Sequence, residues 1–565
     1  MRLSIILLFT TCFGQSKLAQ DLKDPFLPRT ATVDVIVQFH AGQSEESHQR
    51  LSQKGALILR RLTASMSVYR IPAAELESLS FDPGVESVSQ DHAVYSDSFS
   101  GPPDYGWMRA LNIVAPQPAV SFDGTGIGVA VVDSGITASE LGRIVYNESF
   151  VPGDPSTGDR YGHGTHAAGI IAGRLTGPPP GIAFYWVCGV APGVNLVNLR
   201  VLDQNGAGTD SAVIAAIQRA IALRSQYNIR IIDRSLGRPV YGSYVSDPLC
   251  QAVQQAWRAG IVVVVAAGND GRNNSAATSG YATISAPGNT PAAITVGAMN
   301  TVGTVSRADD KLISYSSKGP SLIDHIAKPD LVAPANRIIS LRDSGSTLDN
   351  LHPENRVAMA FCTDGNTQAN GGAYYQLSGT SMAAPMVSAV AALLLQKNPQ
   401  LNADQVKAVL MKTASKFLTI TTVSVDPLSG IAYTSQYDVF SVGAGYLDIN
   451  GALASDEIPA GMADSPAATF DEVNRKVYLV SGGSVVWGST ASWATSVVWG
   501  SSVVWGSIAE WGDSVVWGSS AVWGDASMAA DGVLYGARAI RGKSLVWGSG
   551  NVQPDALQVA LNGEN

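Results

Sequence analysis

The chain has 565 residues, of which 45% are hydrophobic and 15% are charged. This length suggests two to four domains, and the composition allows a sizeable buried core. The formal net charge is −9 and basic residues form no clusters, which argues against binding to nucleic acid or to anionic membranes.

Residues 1–19 are predicted to form a secretory signal peptide. The first residues carry one positive charge, an apolar run from Leu3 to Phe9 follows, and small residues come next. The apolar run is too short to span a bilayer, so we expect a secreted, extracellular protein without a membrane span. Cleavage after Gly14 and cleavage after Ala19 both fit this pattern, and the sequence does not decide between them.

Residues 31–98 alternate strand-like and helical patterns in the order β-α-β-β-α-β. This order is that of a small ferredoxin-like α+β domain. The predicted strands are Val33–Phe39, Ala56–Leu62, Ser65–Ile71 and Val85–Tyr95, and the predicted helices are Ser44–Gln53 and Ala73–Ser80.

In residues 104–454 the sequence pattern changes, and predicted apolar strands alternate with predicted helices. Strands that are apolar along their whole length are typical of a sheet covered on both faces. Alternation with helices predicts an α/β fold with a doubly wound parallel sheet. The clearest strands are Ile127–Asp133, Val194–Leu202 and Gly260–Gly268, and the clearest helix is Asp210–Leu223.

The C-terminal part of the chain begins with a predicted linker and transition over residues 455–483. Residues 484–550 then form a Trp-rich hexapeptide repeat, in which seven tryptophans from Trp487 to Trp523 are spaced six residues apart. A short tail, residues 551–565, follows. We expect the region beyond about Ala460 to lie outside the catalytic unit.

The six-residue period predicts a β-rich repeat rather than a helix. An even spacing places every tryptophan on one side of an extended chain, whereas on an α-helix it would scatter them around the axis. The aromatic face would be either an internal ladder or an exposed strip that binds a glycan or a surface partner and retains the protein at the cell surface. The alternative is a low-complexity segment that is disordered in the monomer.

Three cysteines remain after removal of the signal peptide: Cys188, Cys250 and Cys362. Because three is an odd number, at least one thiol is unpaired or pairs outside the chain, and at most one internal disulfide can form. Their spacing does not predict a metal site.

Three short motifs carry the residue types of nucleophilic catalysis. Asp133 ends the strand VAVVD, His163 lies in GHGTHAAG, and Ser381 lies in GTSMAAP. A serine hydroxyl is a weak nucleophile until a base takes its proton, and a third group must orient that base. Ser381 would open a long helix, whose unpaired N–H groups favour a developing anion.

Neighbouring residues of the same types fit these roles less well. His166 lies inside the helix that follows His163 and is better suited to a structural hydrogen bond. Ser378 and Thr380 also carry hydroxyls. The G-x-S-x-G elbow of α/β-hydrolases does not fit, because Ala383 occupies the position of its last glycine.

The three motifs, in this order and separated by 30 residues (133 to 163) and 218 residues (163 to 381), resemble the subtilase family of serine proteases. The resemblance covers about residues 104–454. It implies a serine endopeptidase in which Ser381 is the nucleophile, His163 the base and Asp133 the group that orients it. The segment VVVVAAGND further implies that Asn269 is the oxyanion-hole residue. The rival interpretation is a surface or matrix protein that keeps the protease fold only as a scaffold.

The resemblance also implies the residues that bind the peptide substrate, although the sequence does not reveal the side-chain preference. Two extended segments would pair with the substrate backbone, and a third would form a wall of the first specificity pocket. These residues are Gly206, Ala207 and Gly208, then Ser235, Leu236 and Gly237, then Ala266, Ala267 and Gly268.

Two departures from the family pattern lie beside the second segment. Asp233 and Arg234 precede Ser-Leu-Gly, where Asn-Met or a similar pair is usual, and Arg238 follows, where a second glycine is usual. Either these charges lie beside the pocket and change its preference, or they point into solvent.

In this setting, residues 31–98 resemble the inhibitor-type propeptides that precede subtilases. Such a domain would assist folding and would occupy the cleft as an intramolecular inhibitor until a cut between Val94 and Trp107 releases it. The alternative is a permanent small domain. The resemblance implies no cofactor for catalysis. Many members bind structural Ca²⁺, but no ligands for it can be assigned in this sequence.

Overall fold

The computed structural model describes residues 17–19, 21–23, 31–96, 122–137, 141, 143–173, 189–273, 278–304, 306–357, 374–416, 421–426, 430–471 and 476–480. Most of the predicted signal peptide, Cys188, Cys362 and the Trp-rich repeat lie outside these residues. The chain divides into two compact units, residues 1–91 and 92–565.

The first unit is a four-stranded antiparallel sheet with the strand order β2-β3-β1-β4, covered by two helices. Valines at alternate positions of β1 face the helices, and Leu51, Leu76 and Leu79 of the helices pack against them. Its elements are β1 (Thr32–Phe39), α1 (Ser44–Gln53), β2 (Leu57–Thr63), β3 (Met66–Pro72), α2 (Leu76–Ser80) and β4 (Val85–Gln90), with short 3₁₀ helices at Asp21–Lys23 and Ala73–Glu75.

The strand predicted at Val85–Tyr95 is in fact two strands in different units. β4 ends at Gln90, and β5 (Ala93–Ser96) belongs to the second unit. The Asp91 N–H still donates to Asp34 O at 2.9 Å in the first unit, whereas Val94 pairs with Gly208 in the second. The residues at the break, Ser89–His92, are polar but include neither glycine nor proline, so the sequence alone does not mark the end of a strand there.

The second unit is built on an eight-stranded sheet with the order β14-β13-β12-β10-β6-β8-β7, in which β15 also pairs with β13. All its strand pairs are parallel except β13 with β14. This confirms the predicted α/β fold with a doubly wound parallel sheet. The strands are β6 (Gly128–Asp133), β7 (Arg143–Ser149), β8 (Asn195–Arg200), β10 (Ile229–Arg234), β12 (Val262–Ala266), β13 (Ile294–Asn300), β14 (Lys311–Leu312) and β15 (Leu331–Pro334).

Helices cover this sheet, and smaller sheets lie outside it. The helices are α3 (His163–Ala172), α4 (Asp210–Tyr227), α5 (Pro248–Arg258), α6 (Thr347–Leu351), α7 (Thr380–Lys397), α8 (Ala403–Thr413) and α9 (Ile449–Ala454). The remaining strands are β9 (Ala207–Thr209), β11 (Leu236–Gly237), β16 (Ile338–Leu341), β17 (Arg356–Val357), β18 (Tyr374–Leu377), β19 (Thr421–Val425), β20 (Ala432–Gln436), β21 (Ala467–Asp471) and β22 (Lys476–Val480).

Helix α7 is the centre of the second unit. Its sequence is apolar on every side, which is typical of a helix surrounded by protein, and its residues from Thr380 to Leu395 are buried. It packs against α3 and against β10, β12 and β13 of the sheet. α7 is therefore held between α3 and the central sheet.

Part of the predicted linker is tied into the second unit. Ser465 is 4% exposed, and its Oγ accepts from Lys407 Nζ at 2.9 Å and donates to Asp330 Oδ1 at 2.6 Å. Lys407 and Asp330 are themselves fully buried. Because buried charged groups are costly without partners, Ser465 completes this cluster. The folded unit therefore extends beyond Ala460.

Truncation after Ala460 is expected to lower the free energy of unfolding by at least about 1–3 kcal/mol, because it removes the Ser465 hydroxyl from two buried charged groups. Truncation after Val480 keeps Ser465 and serves as the matched control, with a melting temperature expected within about 2 °C of the full chain. Thermal melting of both truncated proteins is the measurement. Equal melting temperatures would show that the linker contacts contribute nothing.

Within the described ranges, every helix is too short or insufficiently apolar to cross a lipid bilayer.

Candidate active site

Asp133 and His163 meet where β6 ends and α3 begins. His163 Nδ1 lies 2.7 Å from Asp133 Oδ1 and 2.9 Å from Oδ2, and both side chains are buried. Gly162 precedes α3 with φ 106°, a conformation that favours glycine. A side-chain carbon at Gly164 would collide with the carbonyl oxygen of Gly135, so glycine there lets α3 approach the turn after β6.

The hydrogen bond to Asp133 sets the tautomer of His163. A carboxylate only accepts hydrogen bonds, so the proton of the neutral imidazole lies on Nδ1. Nε2 then carries the lone pair, which is the atom that a general base uses. Asp133 Oδ1 also accepts from the Ser134 N–H at 2.7 Å, which fixes the carboxylate in place.

Ser381 is the second residue of α7, and its side chain is fully buried. Its hydroxyl donates to the carbonyl oxygen of Ser235 at 2.7 Å. Because a hydroxyl has one hydrogen, attack on a substrate requires this bond to break and the hydroxyl to turn toward a base. Gly379, with φ 133°, makes the bend that starts the helix.

Asn269 follows β12 and lies against the same end of α7. Its Oδ1 accepts from the Thr380 N–H at 3.0 Å and from Thr380 Oγ1 at 3.1 Å. The Gly268 N–H donates to Thr380 Oγ1 at 3.1 Å. These bonds fix which end of the Asn269 amide is the oxygen, so Nδ2 is the donating end. A donor held in this way suits an oxyanion hole.

Sequence reasoning missed Asp159, which holds the start of α3. Its carboxylate accepts from the N–H groups of Gly162 at 2.7 Å and Thr165 at 2.8 Å, and from Ser134 Oγ at 2.8 Å. Burial raises the pKa of Asp159. An aspartate four residues before His163, at the beginning of a helix, is a capping signal that the sequence contains.

His166 makes structural hydrogen bonds, as predicted. Its Nε2 donates to the carbonyl oxygens of Ile338 and Tyr375, at 3.1 Å in both cases. Burial, and then the neighbouring His163, lower the pKa of His166 to about 3. The ring is therefore neutral across the physiological range and ties α3 to the outer strands.

The three residues of the two departures from the family pattern are all buried. Arg234 and Asp233 are fully buried and Arg238 is 3% exposed, which excludes the alternative in which these charges point into solvent. Arg238 Nε donates to both oxygens of Asp210 at 2.9 and 2.8 Å, and its Nη2 donates to Asp247 Oδ2 at 2.7 Å. Partners distant in sequence therefore compensate its charge.

The pKa of the buried Asp233 leads to a prediction about how stability depends on pH. Burial, and then the charge of Asp133, raise the pKa of Asp233 to about 7. An acid whose pKa rises on folding costs stability above its unfolded pKa of 3.8, and the cost is complete once the pH exceeds about 7. Ser388 Oγ donates to Asp233 Oδ1 at 2.6 Å, a bond that an asparagine oxygen can also accept.

Asp233→Asn is therefore expected to stabilise the protein at pH 8, by roughly 1–4 kcal/mol, and to have little effect near pH 4. Melting temperatures across this range, measured in a Ser381→Ala background, provide the test. Asp309→Asn is the control, because the Asp309 side chain is exposed. A stabilisation that does not change between pH 4 and 8 would contradict the assignment.

The two predicted cleft segments lie on either side of a third strand from the same chain. β5 pairs antiparallel with β9 on one edge and with β11 on the other. The predicted residues Ala207 and Gly208 are in β9, directly after Gly206, and Leu236 and Gly237 form β11, directly after Ser235. In the third segment, Ala266 is the last residue of β12, and Ala267 and Gly268 connect this strand to Asn269.

Among the described residues, no group of three or more His, Cys, Asp or Glu side chains is arranged to hold a metal ion. Cys250 is a free, buried thiol whose Sγ lies 3.3 Å from Asn289 Oδ1. Burial raises its pKa well above the ordinary value, which is typical of an unreactive thiol.

Comparisons with known proteins give consistent results. The sequence profile of the Subtilase family matches residues 124–445. The serine protease AprX of Bacillus subtilis (strain 168) is 38% identical over 315 residues, which cover 53% of this chain and 63% of AprX. Subtilisin E of the same strain is 31% identical over 416 residues, which cover 73% of this chain and 92% of subtilisin E.

Among solved structures, fervidolysin from Fervidobacterium pennivorans, described as a keratinolytic enzyme related to subtilisin, shares the fold. The TM-score is 0.57 and the identity 23%, over 76% of this chain and 62% of that one. The chain thus spans less than two thirds of AprX and of fervidolysin.

Proposed function

This chain belongs to the Subtilase family, and on that premise we propose that it is a secreted serine endopeptidase made as a self-inhibited precursor. The observation that carries the proposal is the Asp133–His163 hydrogen bond at the start of α3, together with Ser381 at the start of α7, which packs against α3. The proposed substrates are polypeptides.

In the proposed reaction, Ser381 Oγ attacks the carbonyl carbon of the scissile peptide bond and His163 Nε2 accepts the hydroxyl proton. Asp133 keeps Nδ1–H oriented and stabilises the imidazolium that forms. His163 then returns the proton to the leaving amine as the C–N bond breaks, which leaves an acyl-enzyme. Water attacks the ester carbonyl in the same way and releases Ser381.

The tetrahedral intermediates carry a negative oxygen, and we assign Asn269 Nδ2 and the Ser381 backbone N–H to it. Thr380 holds the Asn269 amide before the reaction starts, so little reorganisation is needed when the charge develops. Preorganised donors of this kind contribute about 10²–10³-fold each to kcat, a figure that itself comes from a subtilisin.

The self-inhibited precursor is supported by the position of β5. An extended segment that pairs with both β9 and β11 occupies the place of a substrate strand. Val94 in this segment is fully buried. β5 follows the first unit directly in the chain, so residues 31–91 would act as the propeptide whose tail blocks the cleft.

The register of β5 narrows the range of positions, predicted as Val94 to Trp107, in which the maturation cut would fall. Tyr95 pairs with Gly237 and Ser96 with Leu236, so the strand runs toward Ser235. The carbonyl oxygen of Ser235 accepts a hydrogen bond from the Ser381 hydroxyl. We therefore propose that the bond cut during maturation lies shortly after Ser96.

The contacts of Leu18 bear on where the proposed signal peptide is cut. Leu18 forms a bridge with Val88 and, like Leu22, packs in the core of that unit. Cleavage after Gly14 would keep these contacts, whereas cleavage after Ala19 would remove Leu18. We therefore propose that the signal peptide ends at Gly14. A glycan or surface partner for residues 484–550 remains a proposal on the sequence pattern alone.

The test is hydrolysis of unfolded casein by the purified mature protein, with and without a serine-directed covalent inhibitor, combined with N-terminal sequencing. We expect inhibitor-sensitive hydrolysis and a mature N-terminus shortly after Ser96. A correctly processed, folded protein that leaves casein intact would show that the fold is only a scaffold.

A further inference from the structure

His92 lies immediately before β5, two residues before Val94. The His92 and Val94 residues are 9% and 0% exposed, whereas Ala93 between them is exposed. Alternate side chains of an extended segment face opposite sides. His92 and Val94 therefore both face the protein, and Ala93 faces away from it.

Three contacts hold His92. Its ring stacks on Tyr241, with centroids 4.1 Å apart and an interplanar angle of 14°. Its Nδ1 lies 3.4 Å from Asp210 Oδ2, and its carbonyl oxygen accepts from the Asp210 N–H at 2.8 Å. The backbone contact is available to any residue in this place, whereas the two ring contacts depend on the side chain.

Asp210 belongs to a buried cluster of charges. The Arg238 guanidinium binds both Asp210 and Asp247, and all three residues are at most 6% exposed. Among these three side chains, two carboxylates and one guanidinium leave one negative charge. Because a buried charge is costly without a partner, a cation next to Asp210 is favoured.

Tyr241 is the second residue whose side chain contacts the His92 ring. The Arg238 guanidinium carbon lies 5.5 Å from the centroid of the Tyr241 ring, so the ring contacts both Arg238 and His92. An aromatic face attracts cations and stacks well on flat groups. Asp210 thus supplies charge, and Tyr241 supplies a flat surface beside it.

We propose that Asp210 and Tyr241 form a subsite of the mature cleft that selects a flat, positively charged side chain, histidine or arginine, two residues before a buried aliphatic residue of the substrate. His92 of the chain itself occupies this subsite in the precursor. The inference rests on the proposed endopeptidase function. Arg238 binds both Asp210 and Asp247 and so holds the Asp210 carboxylate in position.

The subsite predicts an order among side chains. Arginine and histidine can both stack on Tyr241 and approach Asp210, whereas lysine has the charge without the flat group. Alanine loses both contacts, and glutamate is repelled by the carboxylate. We therefore expect arginine and histidine to bind most tightly, then lysine, then alanine, and glutamate least.

The experiment measures how synthetic peptides compete with casein hydrolysis by the mature protein. Each peptide has the sequence of residues 88–96, with His, Arg, Lys, Ala or Glu at position 92. Competition does not require that the peptide be cut. We expect the His and Arg peptides to inhibit about tenfold more strongly than the Ala peptide, which corresponds to about 1.4 kcal/mol.

Two variants test whether the preference for His over Ala depends on the Asp210 carboxylate. Asp210→Asn is expected to reduce the His-over-Ala preference to about twofold or less, because a neutral amide replaces the charge. Asp247→Asn is the matched control. It removes an equal charge from the cluster but leaves the carboxylate that faces residue 92, and asparagine also caps α5, so the preference is expected to fall less than in Asp210→Asn. If Asp210→Asn does not fold, Tyr241→Leu serves instead and is expected to abolish the preference for His over Lys.

Equal inhibition by the His, Ala and Glu peptides would overturn the inference while leaving the endopeptidase intact, because casein is still hydrolysed. An unchanged His preference in Asp210→Asn would also overturn it. A processed protein that hydrolyses no casein would overturn the proposed function, and this inference with it.

Discussion

Ser381→Ala is expected to reduce peptide hydrolysis by at least about 10⁴-fold while leaving the fold intact. Without the hydroxyl there is no nucleophile, and the other triad members cannot act alone. The size of this loss is known from triad enzymes, subtilisin among them, rather than worked out from the present geometry. If the maturation cut is self-catalysed, the same variant is expected to accumulate as an uncut precursor, because it lacks the nucleophile that would cut the bond.

The measurements are kcat on a chromogenic peptide, the mass of the purified protein and its melting temperature. Ser378→Ala is the matched control. It removes a neighbouring buried hydroxyl, which accepts from the Arg337 N–H at 2.8 Å, and is expected to cost stability but less than tenfold in kcat. Hydrolysis by Ser381→Ala within tenfold of the unmodified protein would move the nucleophile elsewhere.

Asp133→Asn is expected to reduce kcat by about 10³–10⁴-fold. The asparagine Nδ2 donates hydrogen bonds, so the amide can hold His163 with its proton on Nε2. In that tautomer the base has no lone pair for the proton of Ser381. Size and shape are almost unchanged, so the loss would come from the position of one proton.

Asp159→Asn is the control for this effect. The Asp159 carboxylate holds backbone N–H groups of α3 rather than the imidazole, so its replacement is expected to lower the melting temperature more than kcat. Steady-state kinetics and thermal melting of both variants separate the two roles. A tenfold or smaller loss of kcat in Asp133→Asn would contradict the assignment of Asp133 as the orienting group.

The sheet was predictable because its signals are local, and the proposed triad rests on signals of the same kind. Buried strands are apolar throughout, as in β6, and each triad residue stands at a strand end or helix start marked by glycine or by a short motif. Such features depend on a few neighbouring residues. The same holds for His166, whose place inside α3 follows from its spacing from His163.

Contacts between distant residues were not predictable. Nothing near Arg238 in the sequence indicates that Asp210, 28 residues earlier, compensates its charge. Similarly, Ser465 stands in a stretch whose composition is that of a linker, and its role depends on Asp330, 135 residues away. In both cases the determining quantity is the charge balance of a buried cluster, which only the folded chain reveals.

The hairpin of β21 and β22 determines how the second unit responds to tension on its C-terminal side. Ala467 pairs with Val480, so the two ends of the hairpin lie side by side. A pull at Val480 against the anchored Ser465 therefore unzips the hairpin one pair at a time, at low force, instead of shearing all pairs together. A load that enters at Val480 is therefore expected to separate these five residue pairs before it acts on the sheet that leads to Ser381.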